Sequence, residues 1–320
     1  MADLDFTDQT DFGDVERGFV GTLDDPVITA ADGHVVWDCS KYDFIAGDAP
    51  DTANPSLWRQ GKLVARHGLF ELTAGVYQVR GLDLSNMSLV ETHSGVIVID
   101  TLMSNETAAA ALALYRKHRG DRPVKALIIT HSHADHYGGS AGVAEAGTPV
   151  YAPSGFLEHA VSENVYAGAA MSRRAAYIYA ADLPAGPTGQ IGAGLGMATS
   201  NGTISLLVPT VDVTHTGQEA VIDGVRVVFQ VTPGTCAGQK SYAARSHHRH
   251  PSWPRLKYSG HSLSSSCSTR SACALTGCVP PRPPSASTGS SPTSTAPTAP
   301  SCPTARSSMP TLATEPASRD

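Results

Sequence analysis

Cysteine is nearly missing from the first 235 residues, where Cys39 stands alone. That stretch therefore has no disulfide framework. Long apolar runs are missing throughout, and none approaches the roughly 18 residues of a transmembrane helix, which argues against a membrane partner. The opening MADLDFTDQTDFGDVERGF has neither a basic start nor an apolar stretch. It does not read as a secretory leader, and a cytoplasmic location is expected. In the last 85 residues acids are scarce: nine Lys or Arg face only Glu315 and Asp320, and Ile, Phe and Asn are absent. The first 235 residues carry 14 bases and 27 acids, so a net charge of −13 and one of +7 hide inside an overall −6. The basic segment also holds 12 of the 22 prolines and five of the six cysteines. So little apolar surface cannot offset chain entropy, so residues 236–320 are expected to be a disordered Ser/Pro/Arg-rich tail and residues 1–235 the folding part. The acidity of that folding part argues against nucleic acid as a partner.

Residues 1–60 mix short apolar pieces with Gly, Pro and Asp, and read as an irregular wrap. From Leu69 the pattern turns to strands: Leu69–Leu72, Val76–Val79 and Ser88–Glu91, then the unbroken run Val96-Ile97-Val98-Ile99 that marks a strand buried on both faces. Ser104 sits where a helix cap belongs, and the Ala-rich stretch from Glu106 to Arg119 has high helix propensity. A second buried strand follows over Val124–Thr130. Strand, helix and strand make a β-α-β unit and place the chain among α/β layer folds. Residues 156–180 are expected to be helical with a break at Gly168. Strands are expected over 203–208 and 220–231, with Asn201-Gly202 and Asp223-Gly224 as hairpin turns. Gly192-Ala193-Gly194-Leu195-Gly196 follows no strand and precedes no lysine of a phosphate loop, so it reads as a flexible loop.

The chemistry lies directly after the second buried strand, in Thr130-His131-Ser132-His133-Ala134-Asp135-His136-Tyr137-Gly138-Gly139. Three imidazoles and a carboxylate fall within six residues. His131 and His133, two apart on extended chain, point to one side. Asp135 and His136 follow where the chain turns and can face a second ion. Imidazole with carboxylate suits Zn²⁺ or a similar first-row ion. Asp100, ending its own strand, is placed to orient this loop.

This motif resembles that of the metallo-β-lactamase superfamily. Asn54-Pro55-Ser56-Leu57-Trp58-Arg59-Gln60, Tyr77-Gln78-Val79-Arg80-Gly81, Asp83-Leu84-Ser85-Asn86, Ala170-Met171-Ser172-Arg173-Arg174 and Thr232-Pro233-Gly234-Thr235 resemble its alkylsulfatase branch. The resemblance spans residues 12 to 235. It implies an αββα sandwich, of which residues 1–235 supply the N-terminal part. It also implies two zinc ions, one on His131 and His133 and one on Asp135 and His136, and a small-molecule alkyl sulfate as substrate. Arg173 and Arg174 are candidates for holding the sulfate, since a guanidinium fork suits tetrahedral oxyanions.

The family pattern then stops. A Glu directly after the PGT turn, a bridging Glu about twenty residues on and a later His complete the family's ligand set. Here Cys236 follows Thr235, and no acid occurs between Asp223 and Glu315. Cys236 offers a thiolate at that position but does not replace the bridging carboxylate. The family's helical dimerisation region has no counterpart in this sequence either. A frameshift near codon 235 of a GC-rich gene would give this composition. The rival account is a natural low-complexity tail, and the nucleotide sequence read in its other two frames separates them. The reading is a zinc-dependent hydrolase of alkyl sulfate esters by descent, with its site incomplete. The alternatives are another hydrolase of this fold, a thioesterase or lactonase, or a non-catalytic fragment.

Overall fold

The computed structural model describes residues 7–233, 240–247 and 256–257, all within the unit Met1–Val279. The N-terminal stretch is more ordered than its composition suggests. It holds helix α1 (Thr10–Glu16), strands β1 (Phe19–Gly21), β2 (Val27–Thr29) and β3 (Val35–Asp38), and helix α2 (Pro55–Val64). Helix α2 begins on Asn54, whose side chain accepts from the Ser56 amide at 2.9 Å, with Pro55 in the first turn where its missing N–H costs nothing. It buries Trp58 and Leu63.

Strands β4 (Gly68–Thr73), β5 (Val76–Arg80), β6 (Met87–Glu91) and β7 (Val96–Ile99) follow as an antiparallel meander. Helix α3 (Asn105–Arg119) crosses to β8 (Val124–Ile128), which pairs parallel to β7. Ser104 is the N-cap as expected, although its hydroxyl lies against Thr107 Oγ1 at 3.0 Å instead of a helix amide. The short helices α4 (Ala134–Tyr137) and α5 (Ser140–Val143) carry the metal motif and the chain beyond it, and β9 (Val150–Pro153) extends the parallel half. Helix α6 (Phe156–Val161), a π turn over Ser162–Tyr166 and helix α7 (Gly168–Tyr179) realise the broken helix.

Beyond the Gly-rich loop, β10 (Val211–Val213) joins β9 in parallel. Then β11 (Glu219–Ile222) and β12 (Val225–Pro233) form a hairpin at Asp223-Gly224, both with positive φ (44° and 85°), as the sequence pattern demands. Two expectations fail here. Residues 203–208 are not a strand, because their backbone braces other segments: the Asn105 amide donates to Thr203 O and the Ser205 amide to Gly138 O. Asn201-Gly202 is not a hairpin either; Gly202 lies where any side chain would collide with Glu106 and Ser104.

The main sheet runs β1-β4-β5-β6-β7-β8-β9-β10. Its central strands divide their apolar residues between two cores. Val96, Val98, Leu127 and Ile129 face the layer containing α3 and Trp58. Ile97, Ile99, Ala126 and Ile128 face Ile222, Val225, Val227 and Phe229 of the second sheet. This period of two is why the run in β7 is apolar without a break. Helix layer, first sheet and second sheet are three of the four layers of the expected sandwich. The expected tail lies mostly outside the described residues. Within it, the backbone of β13 (Lys240–His247) pairs antiparallel along β12, and Leu256–Lys257 pairs with β13.

Candidate metal centre

The motif loop leaves the C-terminal end of β8 and folds directly into α4. His131 and His136 are buried, with His133 and Asp135 partly so. Gly138 and Gly139 follow because the loop presses against residues 101–104; a Cβ at either would run into the carbonyls of Met103, Thr101 and Ser104.

One carboxylate organises the imidazoles. Asp100, 1% exposed, accepts from the Thr130 amide at 2.8 Å, the Thr130 hydroxyl at 2.8 Å and His136 Nδ1 at 2.8 Å. Because the Thr130 hydroxyl donates to Asp100, its oxygen accepts from His131 Nδ1 at 2.9 Å. Both rings thus have their protons drawn to Nδ1, which leaves the Nε2 lone pairs of the neutral rings for a metal. Asp100 is thus hydrogen-bonded to the loop that it was expected to orient.

The donor atoms fall into two pairs. His131 Nε2 and His133 Nδ1 stand 3.1 Å apart, and His136 Nε2 and Asp135 Oδ2 stand 3.3 Å apart. Two zinc bonds of 2.0–2.1 Å at the tetrahedral angle separate their ligand atoms by about 3.3 Å. Each pair therefore has the span of two ligands on one ion. His136 Nε2 is buried and, among the described residues, has no hydrogen-bond partner, as suits a ligand atom. Among the described residues no three His, Cys, Asp or Glu side chains close around one point, so each pair is an edge of a coordination shell and not a complete cup. The position due for the next ligand, Cys236, lies outside the described residues.

The local field favours a cation. Burial opposes a charge on His136, yet the carboxylates of Asp135 and Asp100 override it and push its pKa up to about 10. Burial likewise works against the Asp135 carboxylate, but His136, His131 and His133 hold it far below the usual range. A proton or a metal ion supplies the same positive charge here.

Sequence reasoning assigned no role to two neighbours. Glu163, in the π turn, brings Oε1 to 3.5 Å from His133 Nε2. Its only advance signal was the helix break, since π turns recur at functional sites. Asp83, remote in sequence, braces the turn beside the loop. Arg173 and Arg174 are exposed on α7. Arg174 does act electrostatically on Tyr179, whose phenol is raised by burial and by Asp135.

The model of the metallo-β-lactamase superfamily matches residues 80–245. A linear primary-alkylsulfatase of Pseudomonas sp. is 52% identical over 243 residues, 73% of this chain and 36% of the relative. An alkyl/aryl-sulfatase of Saccharomyces cerevisiae is 45% identical over 240 residues, 73% of this chain and 37% of that protein. The solved structure of a stereoselective inverting sec-alkylsulfatase from Pseudomonas sp. superposes with a TM-score of 0.71 at 42% identity, covering 75% of this chain and 39% of that one. The chain spans little more than a third of the length of these relatives.

Proposed function

Because the chain belongs to the metallo-β-lactamase superfamily, we propose that it carries the metal-binding half of a zinc-dependent hydrolase of alkyl sulfate esters, and that turnover by the 320-residue chain is severely impaired. The observation that carries the reading is the arrangement of four donors in two pairs at zinc-ligand spacing, with the tautomers of His131 and His136 fixed by Asp100. The alkylsulfatase relatives, 44–52% identical, support the substrate class.

His131 and His133 would hold one ion, Asp135 and His136 the other. Zinc when bound supplies Lewis-acid polarisation and acidifies water. The chain's own part is orientation: Asp100 fixes two imidazoles, and burial around them sharpens every charge interaction. The four donors fit such a site, but a closed shell needs more. The sequence offers no acid between Asp223 and Glu315 to provide it, which is the ground for impaired turnover. A thioesterase or lactonase would use the same donors, so substrate choice has to be measured.

The test is metal uptake and sulfate release by the full chain. We expect zinc uptake that His131→Ala and His136→Ala both abolish, with sulfate release from dodecyl sulfate near background. Rapid release would refute the impairment. Hydrolysis of a thioester or lactone in preference would refute the substrate class. A chain that takes up no zinc would refute the metal site.

A further inference from the structure

The loop before β6 contains a carboxylate with more hydrogen bonds than any group in the metal motif. Asp83, 2% exposed, accepts from the amides of Leu84 at 2.8 Å and Ser200 at 3.0 Å through Oδ1. Through Oδ2 it accepts from the Met103 amide at 3.1 Å, the Thr107 hydroxyl at 3.0 Å and the Ser200 hydroxyl. Three remote segments therefore meet on one side chain: its own loop, the chain entering α3, and the loop before β10.

The segment gripped at Met103 is the strained one. Asp100 and Leu102 have φ of 57° and 61°; aspartate tolerates this left-handed backbone, but leucine adopts it only under constraint from outside. From the other side the same turn holds the metal loop: the Thr101 amide donates to His136 O at 2.8 Å and the Gly139 amide to Leu102 O at 3.1 Å. Two residues after Asp83, the Ser85 hydroxyl donates to the carbonyl of Asp135. Among the described residues Asp83 thus has no hydrogen bond to the four candidate ligands, yet its own loop and the turn entering α3 both hold the metal loop.

We propose that Asp83 is a positioning residue: it locks the Asp100–Met103 turn and so holds the Asp100 carboxylate against His136 and Thr130. This deepens the reading of the metal site, on which only its metal arm rests. The chemistry makes a selective variant available. In Asp83→Asn the remaining carbonyl oxygen settles where two amides, Leu84 and Ser200, need it. The hydroxyls of Thr107 and Ser200 can reverse and accept from the new NH₂, but the Met103 amide cannot. The substitution therefore releases the turn while keeping the volume.

The experiment uses the full chain, first without metal. The Nδ1 proton of His136, hydrogen-bonded to Asp100, gives a far-downfield NMR resonance, assigned by its loss in His136→Gln. Asp83→Asn is expected to shift or abolish it. It is also expected to raise the dissociation constant for cobalt, read from the ligand-field spectrum, by about tenfold or more. The control is Asp223→Asn, a carboxylate with three donors at the opposite end of β7. It should lower the melting temperature but leave both readouts unchanged. Should Asp83→Asn not fold, Ser85→Ala removes a single hydroxyl and is expected to move the same resonance. An unchanged resonance in a folded Asp83→Asn chain overturns the proposal, as does its absence from the parent chain. A parent chain that binds no cobalt counts against the metal reading alone, because the resonance still decides the role of Asp83.

Discussion

The two ends of β7 are each closed by an aspartate, in opposite ways. At the N-terminal end Asp223 reaches over from the second sheet and accepts from the Thr92 hydroxyl at 2.6 Å, the Ser94 amide at 2.6 Å and the Ser94 hydroxyl. Its left-handed backbone is followed by Gly224, so the turn is one the sequence prefers. At the C-terminal end Asp100 and Leu102 are left-handed with no glycine between them, at a cost of about 1 kcal/mol or more at Leu102. Asp223 joins two sheets with local chemistry. Asp100 is held in place by its surroundings, and two of its three hydrogen bonds lead to histidines. A carboxylate in a relaxed turn is a lock; one in a strained turn imposed from outside is a device for aiming other groups.

The largest expected effect breaks the comparison by removing what the two ends share. Leu127 is fully buried on β8, beside β7, and packs in the helix-side core. Leu127→Ala should lower unfolding free energy by about 3–4 kcal/mol, from lost transfer energy and the cavity left behind. Urea unfolding followed by fluorescence, together with zinc uptake, should show both ends failing at one midpoint. Separate transitions would show that the ends are not one cooperative unit.

A pair of variants sharpens the contrast. Asp223→Ala leaves the Ser94 amide and two hydroxyls without their acceptor, and should cost about 0.5–1.5 kcal/mol of stability with metal affinity unchanged. Asp100→Asn should do the reverse. Asparagine tolerates the left-handed backbone as aspartate does, so the turn survives, but the acceptors that fix His136 and Thr130 are reduced. Metal affinity should fall about 10–100-fold for a small change in melting temperature. Calorimetry and metal titration on both variants check this, and equal effects on both readouts at both ends would erase the distinction.

How much of this was legible in the sequence depended on how local the cause was. The motif His131-Ser132-His133-Ala134-Asp135-His136 declares itself because residue types and spacing within one loop carry the chemistry. The apolar run in β7 and the turn at Asp223-Gly224 are legible for the same reason. The role of Asp83 was not: the block Asp83-Leu84-Ser85-Asn86 carries a resemblance but no chemistry readable from its spacing, and the five donors of Asp83 come from as far as Ser200. The three-residue β10 escaped notice because its pairing with β9 is supplied entirely by tertiary contact. Residues 203–208 looked like a strand because their apolar content fits one; the demands of Asn105 and Gly138 on their backbone cannot be read locally.

The smallest expected effect lies at the site end, in a latch beside the Asp83 cluster. His34 Nε2 donates to Asn201 O at 2.9 Å, and Nδ1 faces Asp32 Oδ1 at 2.6 Å, with the Glu106 carboxylate also acting on the ring. The Asn201 carbonyl, then Asp32, raise the pKa of His34 above its ordinary value. The protonated ring is therefore the form the fold prefers. Its contribution is fully present below the unfolded value, about 6.5, and is lost as pH rises through the raised folded value. Asn201 adjoins Ser200, so the latch supports the same loop that Asp83 grips. His34→Gln should flatten the fall in melting temperature as pH rises above the ordinary histidine value of about 6.5, without moving the His136 resonance. The ring is solvent-exposed, so the change should be small. An unaltered pH slope in His34→Gln would mean that the protonated ring adds nothing to the hold that Asp83, Val36 and Glu106 already have on residues 200–203.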